Sequence, residues 1–105
     1  MEFIETIIFT RRIRELLTDD EYSRLQATLI ETPDLGDIIK GSGGLRKIRW
    51  AARGRGKSGG LRVIYYWVTE ESLIYMLSVY AKSVKGDLTR QEIKALRRFL
   101  DEALI

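Results

Sequence analysis

Neither cysteine nor histidine occurs among the 105 residues of this chain. Disulfides, thiolate metal sites and the usual imidazole ligands and bases are therefore all missing, and composition points away from a zinc or haem function. The expectation is a protein with no metal and no other cofactor. No apolar run approaches the roughly 18 residues that a membrane span needs. The N-terminal stretch MEFIETIIFTRR is broken by Glu2 and Glu5 and lacks a small-residue cleavage site, so the expected location is cytoplasmic, with no membrane partner. Proline occurs once, at Pro33, so regular structure has few enforced breaks. A chain of this length suits one domain spanning residues 1–105, with a single sheet and a few helices.

Acidic charge is missing from one long stretch. From Lys40 to Trp67 the chain carries eight basic residues (Lys40, Arg46, Lys47, Arg49, Arg53, Arg55, Lys57, Arg62) and no acid. Residues 1–37 instead carry nine acids against four arginines, and the remainder after residue 69 is balanced, so the net +3 conceals an acidic start and a basic middle. Ordinary solvated faces mix the two signs, and a concentrated positive field attracts polyanions. Nucleic acid is the natural partner class.

Residues 3–9, FIETIIF, are β-branched and aromatic, which predicts a first strand. Ile13, Leu16 and Leu17 follow helical spacing, so Thr10 is expected to cap a short helix ending before Thr18. Thr18 with Glu21 forms a capping-box pattern that opens a second helix, lined by Tyr22, Leu25, Leu29 and Ile30 and stopped by Pro33. The pair is expected to form a helical hairpin over the sheet. Leu45 to Trp50 alternates as a strand; Arg53 to Gly60, RGRGKSGG, reads as a positive hairpin loop. Leu61–Val68 and Leu73–Ala81 read as two more strands, and Thr89 with Glu92 caps a last helix whose stripe is Ile93, Leu96, Leu100 and Leu104. The fold class is α+β: an N-terminal strand and helical hairpin packed on a small antiparallel sheet, with a C-terminal helix.

Strand parity then sorts the side chains. Arg46, Ile48 and Trp50, with Leu61, Val63, Tyr65 and Trp67 and with Leu73, Tyr75, Leu77 and Val79, are expected on one face. Lys47 and Arg49, with Arg62, Ile64, Tyr66 and Val68 and with Ile74, Met76, Ser78, Tyr80 and Lys82, fall on the other. A simple meander brings Lys47, Arg49, Arg62, Tyr80 and Lys82 together near one end of that face. Tyr66 and Tyr80 share it and are candidates for stacking on bases.

A Gly56-Lys57-Ser58 triplet raises the possibility of a phosphate-binding loop, but the first glycine of that motif would fall on Ala51 and a strand follows where a helix is required. A nucleotide triphosphatase is rejected. Cleavage of RNA at its own 2′-hydroxyl needs a base, positive charge on the phosphorane and an acid for the leaving oxygen. Arginine supplies only charge. Lys47, crowded by Arg46, Arg49 and Arg62, is the best candidate base, Arg49 and Arg62 the phosphate-stabilising pair, and Tyr80 or Lys82 the acid.

Leu45-Arg-Lys-Ile-Arg, the Gly/Lys-rich loop, Leu61-Arg-Val-Ile-Tyr-Tyr-Trp and Leu77-Ser-Val-Tyr-Ala-Lys-Ser together resemble the central strands of RelE/HigB-type toxins of bacterial toxin–antitoxin systems. The similarity extends through the helical hairpin and the Asp87-Leu-Thr start of the last helix. The resemblance implies a RelE-like fold and a ribosome-dependent mRNA endonuclease (an mRNA interferase) that cuts in the A site. It implies a metal-independent reaction with the 2′-hydroxyl as nucleophile, leaving a 2′,3′-cyclic phosphate. It also implies a cognate antitoxin, often a helix-turn-helix protein, besides mRNA and the ribosome as partners. The family's basic pair on the second strand falls on Lys47 and Arg49, its next arginine on Arg62, and a position commonly arginine on Lys82. Where some members have a tyrosine near the start of the last helix, this chain has Leu88, and Tyr80 is the available substitute. Arg46, Arg53, Arg55, Lys57 and Tyr66 are the expected RNA-docking residues. A non-catalytic RNA- or ribosome-binding inhibitor is the alternative from a different class.

Overall fold

The computed structural model describes residues 1–51 and 60–104. The candidates Arg53, Arg55 and Lys57, with the hairpin loop expected around them, lie outside the described residues. The chain begins with β1 (Glu2–Glu5), α1 (Ile7–Leu16) and α2 (Asp19–Glu31). It continues through β2 (Asp37–Ile38), β3 (Arg46–Trp50), β4 (Leu61–Val68), β5 (Leu73–Ala81) and α3 (Arg90–Ala103). The strand order is β1-β5-β4-β3-β2, and β1 runs parallel to β5 while the other pairs are antiparallel. The α+β class holds. The sheet is mixed rather than wholly antiparallel, because the α1–α2 hairpin carries the chain away after β1 and the return to β5 leaves the two strands pointing the same way.

The first strand is shorter than its β-branched run suggests. Thr6 ends it: its hydroxyl accepts from the Phe9 amide at 3.0 Å, an N-cap, and donates to the Leu77 carbonyl at 2.9 Å. Ile7 and Ile8 enter the first helical turn, where both side chains are exposed, and Phe9 and Ile13 point inward. Capping outcompetes the strand preference of two isoleucines because it satisfies a helix amide and a strand carbonyl together. Glu5 then ties three elements, accepting from Thr10 Oγ1 and Tyr22 Oη at 2.6 Å each. The Thr18–Glu21 capping box opens α2 as its sequence predicts, and the helix stops at Glu31 before Pro33. Leu25 and Leu29 are fully buried, whereas Ile30 lies outside the stripe and is exposed.

β4 and β5 pair in register from Leu61↔Ala81 to Ile64↔Ser78, and then the ladder slips so that Tyr65 faces Met76. Leu77 is the extra residue of a bulge, and its carbonyl is the one that Thr6 caps. The slip corrects the strand parity expected for the first half of β5. Leu73, Tyr75 and Leu77 pack with Leu45, Ile64 and Leu100 beneath α3, and Ile74 and Met76 pack with Val63, Tyr65, Phe9 and Leu25 beneath α1 and α2. Beyond the bulge the expected parity is restored: Val79 joins the α1–α2 side and Tyr80 the α3 side. All of β5 is buried. Each large apolar side chain so covered contributes about 1.5–3 kcal/mol. The α3 stripe uses Ile93, Leu96 and Leu100, while Leu104 is exposed rather than part of it.

Candidate RNA-phosphate site

The sheet register assembles the site. Arg49 is paired directly with Arg62, and Arg62 with Tyr80, so the three form one row across β3, β4 and β5 on the α3 side. Neighbouring strands are about 4.8 Å apart, and Lys47 sits two residues along β3, roughly 6.6 Å from Arg49. Lys82 follows β5, its amide donating to the Gly60 carbonyl at 3.0 Å to extend the row's end. The structure thus brings Lys47, Arg49, Arg62 and Tyr80 together, with Lys82 at the edge.

Like charges directly opposite each other weaken a sheet. The Arg49–Arg62 pairing is sharpened by burial, for Arg62 is 7% exposed and its guanidinium Nη1 donates to the carbonyl of its neighbour Leu61 at 3.3 Å. Among the described residues neither arginine nor Lys82 has an acidic partner. A buried cation without a counter-charge is costly to fold around. An anion seated between the two guanidiniums offsets that cost, and Arg49, exposed, is free to close on it.

Tyr80 is 5% exposed and its hydroxyl has no hydrogen-bond partner among the described residues. Burial pushes the phenol up from its ordinary value, the carboxylates of Asp87 and Glu92 push it the same way, and Arg62 partly offsets them. The group therefore keeps its proton and serves as a hydrogen-bond donor. Lys47 Nζ contacts Asp87 Oδ1 at 3.2 Å. Asp87 is the residue that sequence reasoning missed. It stands 40 positions from Lys47 in the chain, and only the turn after β5, closed by Lys85 pairing with Glu92 and by the Thr89 cap, returns it over the basic row. The position just ahead of the Leu88-Thr89 cap is its one sequence signal.

Two expected RNA contacts lie elsewhere. Arg46 points to the opposite face, where Nη1 donates to the Asp34 and Gly36 carbonyls at 3.2 and 2.8 Å and pins the loop after α2. Tyr66 shares the face of Arg62 but lies four residues along β4, roughly 13 Å away. Its ring is covered by Arg97, whose guanidinium carbon is 5.5 Å from the ring centroid. Arg97 also donates to the Gly43 carbonyl at 2.7 Å and pairs with Asp101, so the stacking surface of Tyr66 is already taken by α3.

The family model described as "RelE toxin of RelE / RelB toxin-antitoxin system" matches residues 4–104. Among solved structures, a mutant of the E. coli toxin RelE in the free state is similar at 17% identity and a TM-score of 0.58, covering 91% of this chain and 92% of that one. That likeness concerns the fold. No helix among the described residues is long and apolar enough to cross a membrane.

Proposed function

Because this chain belongs to the RelE toxin family of toxin–antitoxin systems, we propose that it is a cytoplasmic, ribosome-dependent mRNA endonuclease that cuts in the A site. Its antitoxin, on this reading a helix-turn-helix protein, holds it in check. The observation that carries the reading is the Arg49–Arg62 pair, two arginines directly opposite across the β3–β4 ladder and lacking an acidic partner among the described residues, beside a protonated phenol.

The scissile phosphate sits between Arg49 and Arg62, whose N–H groups meet its non-bridging oxygens and stabilise the charge that grows on the phosphorane. The 2′-hydroxyl loses its proton to the Lys47 amine and attacks phosphorus in line. The bond from phosphorus to the 5′-oxygen breaks, and that oxygen takes a proton from Tyr80 or Lys82. The products are a 2′,3′-cyclic phosphate and a free 5′-hydroxyl, and no metal enters the scheme. The alternative, ribosome or RNA binding without cleavage, draws on the Lys47–Asp87 ion pair, which engages the Lys47 amine with a carboxylate 3.2 Å away. Mapping message 5′ ends after induction separates the two: codon-phased new ends are expected, and growth arrest with intact messages contradicts cleavage.

A further inference from the structure

The outer face of α3 carries Arg90, Lys94 and Arg98, three exposed cations spaced four residues apart. That spacing sets each about 6 Å from the next along the axis, in one nearly straight row. The row works against its own helix. Like charges at this spacing repel, and Arg90, the first residue of α3, sits at the positive end of the helix dipole. Among the described residues none of the three makes an ion pair. The helix's acids do not answer them: Glu92 pairs with Lys85, Asp101 pairs with Arg97, and Glu102, one turn beyond Arg98, makes no ion pair with it.

Beside the row runs an open groove of about 500 Å³, with Lys94 and Arg98 on one wall and the loop of Gly41, Ser42 and Gly43 on the other. The loop is held in place. The buried Ser42 donates through its hydroxyl to the Ile39 carbonyl at 2.6 Å and accepts from the Leu45 amide at 3.0 Å, while Arg97 ties the Gly43 carbonyl to the helix at 2.7 Å. Gly41, at φ 74°, has nothing within 4 Å of the position a Cβ would take, so a ligand can approach the backbone there. No residue lining the groove is aromatic, and the Tyr66 ring behind the loop is covered by Arg97.

We propose that this row and groove dock the phosphate backbone of double-helical RNA, which is held there and not cut. A polyanion offsets the repulsion along the row, and cations one helical step apart match the spacing of successive phosphates on one strand. Single strands are gripped largely by aromatic rings stacked on their bases, and this groove offers none. Duplex RNA is instead recognised by shape, through phosphates and 2′-hydroxyls. The surface shares no residue with the Arg49–Arg62 row, so the inference stands whether or not that row cleaves.

The test follows backbone amide shifts of the isotopically labelled full chain with three probes: a short blunt-ended RNA duplex, a single-stranded 2′-O-methyl RNA of equal charge, and a polyglutamate peptide. The duplex is expected to move Gly41, Gly43, Lys94 and Arg98, and the single strand to move Arg49 and Arg62 instead. The combined variant Arg90→Gln, Lys94→Gln and Arg98→Gln should weaken duplex binding about tenfold or more and lower the slope of log affinity against log salt by about two to three. Lys94→Gln alone should lower that slope by about one. Affinity for the single strand should not change, and the thermal midpoint should hold or rise as like charges are removed. Duplex affinity and salt slope unchanged in the variants overturn the docking surface and leave the row a solvated face. Shifts on α3 that the single strand produces as strongly overturn it too, since the groove then extends the track of the cut strand. Shifts that polyglutamate reproduces at similar affinity assign the surface to an acidic protein, and duplex that moves nothing on α3 removes the proposal outright.

Discussion

Arg49 faces Arg62 across the β3–β4 ladder, and the more deeply buried of the two, Arg62, donates to the carbonyl of Leu61 and has no acidic partner among the described residues. This juxtaposition stabilises no free protein, and so it separates function from stability. Replacing Arg62→Met keeps the side-chain bulk and removes the charge. Cleavage should fall about 10²- to 10³-fold, the loss typical of removing one phosphorane-stabilising donor. Thermal unfolding should stay level or shift upward, because a buried charge is exchanged for an apolar group. Growth arrest on induction should be relieved in parallel. Undiminished arrest contradicts the role given to Arg62.

Binding to RNA should depend steeply on salt. If about four to six basic groups meet single-stranded phosphates, affinity varies as salt to the power of roughly −3 to −4, so a fourfold rise in salt weakens it on the order of a hundredfold. Fluorescence titration of a short labelled RNA at several salt concentrations gives the slope. A slope near zero contradicts phosphate-led binding.

Thr6 joins β1, the start of α1 and the β5 bulge through a single hydroxyl. Thr6→Ala should lower stability by about 1–2 kcal/mol, the usual loss for an N-cap with a second bond, and Thr6→Ser should restore most of it. Urea unfolding of the three proteins measures this. A loss equal in the alanine and serine variants would assign the effect to the methyl group instead.

Alkaline stability should report Tyr22. Burial, and then the hydrogen bond and charge of Glu5, raise its phenol far above the ordinary value, so the folded protein keeps this proton where the unfolded chain releases it. The unfolded group titrates near 10, so the contribution is complete below about pH 10 and is lost as pH rises above it. Tyr22→Phe should therefore flatten the fall of stability between about pH 10 and 11. The change is a fraction of the roughly 1.4 kcal/mol per pH unit that one whole proton carries, because the ring is only partly buried. An unchanged slope contradicts the assignment.

Much of this was legible from residue order. The two Thr–Glu capping boxes, the three central strands and the segregation of Lys47, Arg49, Arg62 and Tyr80 to one face follow from local chemistry and period-two alternation, and all are present. The β1–α1 boundary was not, because the hydroxyl that caps α1 at Thr6 also bonds to Leu77, 71 residues away. The bulge at Leu77 was hidden for the same reason, since alternation carries no mark of an inserted residue when both neighbours are apolar and both faces are covered. Tyr80 was placed with the site even so, because the slip lies before it. Asp87, Arg46 and Tyr66 show the remaining limit. Charge and parity say which face a residue takes, and not whether a returning turn, a loop carbonyl or Arg97 reaches it first.

The central claim is that the row of Arg49, Arg62 and Tyr80 cuts RNA at its own 2′-hydroxyl. Programmed ribosomes carrying an end-labelled message, incubated with the purified protein in single turnover, test it directly. The account predicts an upstream fragment ending in a 2′,3′-cyclic phosphate and a downstream fragment with a free 5′-hydroxyl, both lost with Arg62→Met. Translation that stops while the message stays whole, or fragments ending in a 5′-phosphate, would contradict it.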